Sequence, residues 1–429
     1  MNSITDKFKQ TPYWWDDTPR PKLSESCPKK SVDVLIIGSG YTGLCAAIEL
    51  SRAGRQVMIL DAKDVGWGCS SRNGGQLGTG IKSDYPTLAQ RYGTQKAFSI
   101  LKEGQRSLEW IQWFIESEGF DCDYEQSGRF CAAHSPKQFE ALERRLEATP
   151  NELVDDCYMV SRNDQKNELG SDHYHGGLVS TRHGSLHPAK YHQALYERAI
   201  DLGVEIHAFC AVGEIERNRD GFEVSTPKGA VLASKVVVAT SGYTSKATPW
   251  LQRRIIPIGS YMIATEAIDP GLMKVLMPQN RVVVDTRKLV VYYRNTPDRS
   301  RVLFGGRVSV GEIPVDKSVP RLRQLLVSIF PELSSAMISH CWLGFVVFTF
   351  DSLPHIGERD GLFYAMGYCG SGVALSSYFG TKMAQRLVGD SEGCTALDDL
   401  RFQTRPLYRG KPWFLKPSVG YYRIKDRFS

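Results

Sequence analysis

Residues 32–50 read VDVLIIGSGYTGLCAAIEL, and QVMILDA follows at residues 56–62. The opening apolar, β-branched run predicts a buried strand, the spacing after it a helix ending near Gly54, and the second run another buried strand. Strand, glycine turn, helix and strand make a βαβ unit of the kind that seats a dinucleotide. Gly38 and Gly40 allow the tight turn and the close approach of backbone to a pyrophosphate, and Gly43 lets the helix pack on the strand. Asp61 closes the second strand 18 residues after Gly43, where its carboxylate can accept hydrogen bonds from an adenosine ribose. Ser39, Tyr41 and Thr42 complete the turn, and Ala62 and Lys63 follow the acid. NAD and FAD share this half-site, so the turn alone leaves the choice between them open.

Around this unit lies a chain of 429 residues, 42% hydrophobic and 23% charged. That length and balance fit two interleaved domains and exclude a disordered or collagenous chain. The opening MNSITDKFKQTPYWWDD carries charge where a secretory signal would be apolar, so no signal peptide is expected. No apolar run reaches the ~18 residues that a membrane helix needs. Ten cysteines lie singly, never as Cys-x-x-Cys, which points to a reducing cytoplasm. The same spacing excludes a zinc ribbon and the redox pair of a flavin disulfide reductase. The net charge of +6 resides in the last 29 residues, where eight lysines and arginines face Asp426 alone, leaving −1 on the rest. Tyr408, Trp413, Phe414, Tyr421 and Tyr422 interleave those charges and favour a tail (391–429) packed on the body over an arm for nucleic acid.

Residues 85–119 predict one or two amphipathic helices, 124–133 a strand and 136–148 a charged helix. His187-Pro188 opens a helix to about Gly203, and strands follow at VEIHAFC, around the Asp220-Gly221 hairpin and at KVVVATSGY. Further strands at 254–266 and 281–308, rich in Val and Tyr, imply a separate antiparallel sheet. A helix near 319–330 precedes HCWLGFVVFTF, the strand LFYAMGY and a closing helix at 372–388. The expected architecture is α/β: a Rossmann-like dinucleotide domain from 30–80, 170–250 and 336–390, and an α+β substrate domain from 81–169 and 251–335.

Three further segments resemble flavoenzymes of the D-amino-acid oxidase and glycine/sarcosine oxidase superfamily. GWGCSSRNGGQ (66–76) is similar to the loop that wraps the flavin there, KVVVATSGYTSK (235–246) to a strand ending near the cofactor, and GYCGSGVALSSYFG (367–380) to the helix whose N-terminus faces the flavin. The resemblance spans residues 30–390 and implies FAD. It implies contacts from Gly68, Ser70, Ser71, Arg72 and Asn73, then from Gly74, Gly75 and Gln76. Val212, Thr240, Gly242 and Gly344 are implied from the middle of the chain, with Gly367, Gly370, Ser371, Gly372 and Val373 near its end. Helix-terminal amides at 370–372 would stabilise negative charge on the reduced ring. FGGRVSVG is followed by EIPVD and not by a helix, so no second dinucleotide turn for NAD(P)H is expected. Electrons should enter from an organic substrate and leave to oxygen, or to a protein or quinone.

In that superfamily an amine gives hydride from its α-carbon to flavin N5, and no catalytic base is obligatory. The resemblance therefore implies no catalytic residue. The Arg-Asn-Gly-Gly-Gln run is similar to the loop of gamma-glutamylputrescine oxidoreductases, which makes gamma-glutamylputrescine the leading substrate. Sarcosine or pipecolate is the alternative, and a flavin-fold binding protein without turnover a third reading. Where sarcosine oxidases keep a lysine near N5, the strand RVLFGGR is expected to place Phe304. Tyr261, Tyr292 and Tyr293 could wall an amine and Arg294 hold a carboxylate, although packing explains each as well. Phe348 and Trp342 carry the same two readings. Cys341 and Cys369 lie where a flavin attachment could form, with filling of buried space the simpler role. His183, His187 and His192 are not aligned for a metal, and none is expected.

Overall fold

The computed structural model describes residues 3–21, 23, 26–307 and 312–428. The VSVG residues 308–311 lie outside the described residues, as do the side chains of Lys416, Arg423, Lys425 and Arg427 in the basic tail.

The strand Ser31–Ile37 lies between Val57–Leu60 and Gly229–Val238, parallel to both. Glu205–His207 continues the parallel order on one side and Leu362–Met366 on the other. Val34, Leu35 and Ile36 are fully buried, as expected of a parallel sheet covered on both faces. The Tyr41–Arg52 helix and the Gly372–Val388 helix cover one face side by side. They touch so closely that a Cβ on Gly380 would lie 2.4 Å from the Thr42 carbonyl oxygen.

The helices Tyr85–Tyr92 and Thr94–Glu118 join that layer, and Ile100, Leu108, Ile111 and Phe114 share one buried cluster with Leu44 and Leu375. The sequence pattern groups 81–169 with the other sheet; these helices instead close the core of the dinucleotide sheet. Amphipathic spacing marks a buried face without naming what it faces.

The larger sheet has nine strands among the described residues. Near one edge it carries its longest antiparallel pair, Ile255–Thr265 with Ile338–Thr349. Val302–Gly306, Val291–Asn295 and Val282–Asp285 extend it on one side. Arg129–Ala132, Gly177–Ser180 and Cys157–Val160 complete that side, the first of them parallel to Val282–Asp285. On the pair's other side, at the sheet edge, Ile4–Lys9 adds a parallel strand. The sheet is thus mixed at two places and antiparallel elsewhere. By strand pairing, 338–349 and 177–180 belong to this sheet, whereas the expected segments put both with the dinucleotide domain. HCWLGFVVFTF is apolar on both faces and would suit either sheet, so pairing decides.

One face of the larger sheet is sealed by the Val315–Ile329 helix over Tyr261, Tyr293 and Phe304. The tail lies against the body: the Tyr408 hydroxyl donates to the Ile255 carbonyl at 2.6 Å, and Phe402 stacks on His355 at 4.1 Å. Asp426 accepts from the Lys288 and Leu289 amides. Trp413 and Tyr421, which the pattern assigns to packing, stay exposed.

Gly380→Ala should cost about 2 kcal/mol of stability, because the added methyl meets backbone of the facing helix that cannot swing aside. Gly420→Ala, inside the Leu415–Phe428 helix with nothing near its Cβ, should leave the melting temperature unchanged or slightly raised. Thermal unfolding of both variants checks the pair.

Candidate active site

The glycine turn is held by backbone geometry. Gly38 has φ +104° and presses on the Ala239 carbonyl, which a Cβ would meet at 3.0 Å; a Cβ on Gly43 would lie 2.0 Å from the Gly38 oxygen. Asp61 does structural work here: its Oδ2 accepts from the Ser39 amide at 2.8 Å and from the Ser39 hydroxyl at 2.6 Å. Its Oδ1 accepts from the Lys63 amide at 3.0 Å. A carboxylate has about four acceptor positions, so one remains for a ribose hydroxyl. At the helix start, Tyr41 N donates to Ser70 Oγ at 3.0 Å, and His192 Nε2 donates to the Ser39 carbonyl at 2.8 Å. The Thr42 and Gly43 amides have no acceptor among the described residues, which leaves the helix N-terminus ready for a pyrophosphate.

The 66–76 loop has almost no regular structure, and indole N–H groups tie it down. Trp14 Nε1 donates to the Asn73 carbonyl at 2.9 Å, Trp15 Nε1 to Ser71 Oγ at 2.8 Å, and Trp342 Nε1 to the Arg72 carbonyl at 2.8 Å. The Arg72 guanidinium lies over Trp15 at 4.5 Å and over Trp67 at 4.7 Å. Asn73 closes the turn by accepting from the Gly75 amide at 2.7 Å. Ser71 Oγ donates to the Gly66 carbonyl. Gln76 pairs with Ser185 in a two-stranded ribbon and sends Nε2 toward the Val283 and Tyr293 carbonyls. Gly68 lies under the Tyr243 ring, and Gly74 faces Tyr292 and Met262.

The third wall is the turn before the Gly372–Val388 helix. Gly367 (φ +84°) and Gly370 (φ +100°) bend it, and Cys369 itself sits at φ +53°. Its amide donates to the Val347 carbonyl at 2.9 Å, which fastens the turn to the larger sheet. Val373 is buried, and the Ser371 side chain makes no cap bond. Burial pushes the Cys369 thiol up to about 11, which keeps it protonated. Thr240 bonds Thr244 through their hydroxyls at 2.8 Å, and Gly242 packs against Val347. Ala62 and Lys63 follow Asp61, with the Lys63 carbonyl accepting from the Phe209 amide. Val212 packs at the rim of the cluster around Leu35 and Met58.

Alternation along the strands sorts the expected substrate residues. Tyr292 and Met262 share the cluster turned toward the 66–76 loop, whereas Tyr261, Tyr293, Phe304 and Cys341 lie in the cluster under the Val315–Ile329 helix. Phe304 stacks on Tyr293 at 5.6 Å and does not reach the cleft; the neighbouring position that does is Gly305, lying beneath the Tyr292 ring. Tyr261 exchanges both hydrogen bonds with the Ile313 backbone. Cys341 meets Ser318 at 3.3 Å, away from any attachment point. Trp342 faces the cleft side but is buried against the loop it holds. Arg294 is turned inward: its Nη1 donates to the Leu186 and Gly75 carbonyls and its Nε to Asn295, which leaves it as a brace of the loop and no partner for a substrate carboxylate. Burial lowers its pKa to about 10, still a cation.

Two of the expected residues meet the 66–76 loop directly, Tyr292 against Gly74 and Gly344 against Arg72, while the Cys369 amide is fastened to Val347, next to Phe348 on the same strand. Tyr292 OH bonds Ser260 Oγ at 3.0 Å, and burial raises its pKa to about 12. Sequence reasoning misses Trp14 and Trp15, which lie far from the loop in the chain, and Lys82, which lies just beyond it. No cluster able to hold a metal occurs among the described residues.

Residues 33–386 match the family model described as FAD dependent oxidoreductase. Gamma-glutamylputrescine oxidoreductase of Escherichia coli K12 is 33% identical over 414 residues, 95% of each chain. Glycine oxidase of Geobacillus kaustophilus superposes with a TM-score of 0.73 at 20% identity, covering 88% of this chain and 99% of that one. L-proline dehydrogenase of P. horikoshii gives 0.70 at 18%, covering 91% and 99%. The residues fit the FAD that the family carries: two glycine-lined helix starts with unpaired amides, and a loop whose small residues leave no Cβ in the way.

Asp61→Ala removes the acceptor for both Ser39 donors and for a ribose hydroxyl. FAD should bind roughly ten- to hundred-fold more weakly, the value of one or two hydrogen bonds to a charged group. Fluorescence of FAD released on dilution measures it.

Proposed function

The chain belongs to the FAD dependent oxidoreductase family, and on that premise we propose that it oxidises an amine to an imine, which water converts to an aldehyde or ketone. Bound FAD supplies the two-electron acceptor for the hydride leaving the carbon beside nitrogen. The protein's part is to orient and desolvate the amine. Tyr292 and Phe348 offer an aromatic wall. Tyr292 stays a neutral phenol and Cys369 a neutral thiol near pH 7, so neither would draw a proton from an uncharged amine.

One observation carries the reading: the Gly372–Val388 helix N-terminus favours negative charge, while burial keeps Tyr292, against the 66–76 loop, and Cys369, in the turn before that helix, in their neutral forms. That arrangement suits hydride loss from a neutral amine better than proton abstraction by a side chain. Gamma-glutamylputrescine is the proposed substrate, supported by 33% identity over 95% of both chains to an enzyme of that name and by the Arg72-Asn73-Gly74-Gly75-Gln76 run. Oxygen is the proposed acceptor, giving hydrogen peroxide; a protein or quinone is the other outcome. The proposed setting is the reducing cytoplasm, supported by ten cysteines that are all free. No helix among the described residues is long and apolar enough to cross a membrane.

Anaerobic mixing of the yellow protein with gamma-glutamylputrescine should bleach the flavin, and admitting air should restore the colour with peroxide. Bleaching with slow recoloration would make it a dehydrogenase. Bleaching by sarcosine or pipecolate alone would move the substrate assignment, and bleaching by no amine would overturn the proposal.

A further inference from the structure

Beyond Gln76 the chain runs on along the cleft. Gly80, at φ +67°, lies on the start of the Gly372–Val388 helix, where a Cβ would be 2.8 Å from Leu375 Cδ1 and 3.3 Å from Ser371 Cβ. Two residues later Lys82 sends its Nζ to 5.6 Å from the centre of the Phe348 ring. The residue is exposed to solvent, yet protein around it lowers the ammonium's pKa below the ordinary lysine range. The titratable groups it faces are the thiols of Cys369 and Cys131 and the ammonium of Lys288. No carboxylate pairs with it among the described residues.

Arg129 reaches the same stretch of chain a few residues earlier, at Leu77 and Gly78. Its Nη2 donates to the Leu77 carbonyl at 3.3 Å, while its buried Nε has no partner and no acid answers its charge among the described residues. Arg281 and Arg287 are paired with acids, the first with Glu168 and the second with Asp285 at 2.9 Å, whereas the buried Arg294 is answered by carbonyls alone. An enclosed cation without a counter-charge is costly unless something anionic arrives. Arg129 is such an enclosed cation; Lys82, exposed and without a carboxylate partner among the described residues, stands beside the Phe348 ring, where an incoming anion can reach it.

We propose that Lys82 is the binding residue for a carboxylate on the substrate, so that the cleft selects amines carrying a carboxylate away from the carbon being oxidised. The proposal rests on the amine-oxidation reading above and adds the residue that sets its substrate class. A lysine ammonium on a flexible stem suits a carboxylate at variable distance, whereas the enclosed Arg129, bonded to the Leu77 carbonyl, is a support of the loop.

The test uses Lys82→Met and Lys82→Arg holoenzymes with FAD content and melting temperature equal to wild type. Turnover is compared on gamma-glutamylputrescine and on N-butyrylputrescine, which lacks the carboxylate. Binding without turnover is read from the change in flavin absorption on titration with glutarate and with neutral glutaramide. In Lys82→Met the KM for the carboxylate-bearing amine and the Kd of glutarate should both rise about ten- to hundred-fold. The kcat, the KM for N-butyrylputrescine and glutaramide binding should stay within about twofold, and Lys82→Arg should recover most of the loss. Equal weakening of charged and neutral compounds would overturn the proposal. So would unchanged glutarate binding, or a defect confined to reoxidation by oxygen. If wild type oxidises no amine, the functional reading fails on its own, and the glutarate titration still judges Lys82.

Discussion

Thr42 ties the start of the Tyr41–Arg52 helix to the turn before the Gly372–Val388 helix and to that helix's middle. Its hydroxyl bonds the Tyr368 hydroxyl at 2.7 Å, and its carbonyl lies against Gly380 so closely that no side chain fits between. The helix that starts after Gly40 and the helix that starts after Ser371 are therefore locked at both a polar and a backbone contact. Each end presents unpaired amides and the positive end of a helix dipole. Because Gly43 is wedged against Gly38, and Gly38 against Ala239, the same lock registers both helices on the central strands. Anions or developing negative charge bound at one end are thereby held at a fixed distance from the other.

The loop between those helix starts has a different problem. Residues 66–76 lack the ladder that would satisfy their carbonyls, and buried carbonyls need donors. Tryptophan answers this because its indole carries a donor and no acceptor on a large apolar body. Trp14 and Trp15 come from the N-terminal segment and Trp342 from the larger sheet, so the loop is clamped from two unrelated parts of the chain. The edge strand Ile4–Lys9 anchors the segment that delivers the first two. Removing the start of the chain would thus loosen the cofactor loop before it disturbed either core.

Much of this was legible in the sequence because the signals are local. The glycine turn, Asp61 and the apolar runs beside them depend on neighbours a few residues away, and so does the Pro188 helix start. What stayed hidden depends on register or on distance. A shift of one residue along a strand exchanges its faces, which is why Phe304 and Tyr261 lie under the covering helix while Gly305 and Tyr292 meet the cleft. Arg294 has the chemistry of a carboxylate clamp, and only the fold shows its hydrogen bonds already taken by Leu186 and Gly75. The helices between Tyr85 and Glu118 declare an apolar face without declaring which sheet it meets. Trp14 and Trp15 sit more than fifty residues before the carbonyl and hydroxyl they serve.

The two kinds of wall around the cleft differ in how freely they can change. On the cofactor side the contacts are made by backbone, and the glycines at 38, 43 and 75 stand where a Cβ would collide with another main chain. On the opposite side the walls are side chains of strands whose pairing does not depend on them, such as Phe348. Tyr292 is intermediate, since its ring fits only because residue 305 is glycine. Substitution is therefore cheap for the fold where the substrate would lie and costly where the cofactor would lie. A constant redox centre beside an adjustable wall follows from that difference, and it explains why one architecture spans relatives whose names carry glycine, proline and gamma-glutamylputrescine.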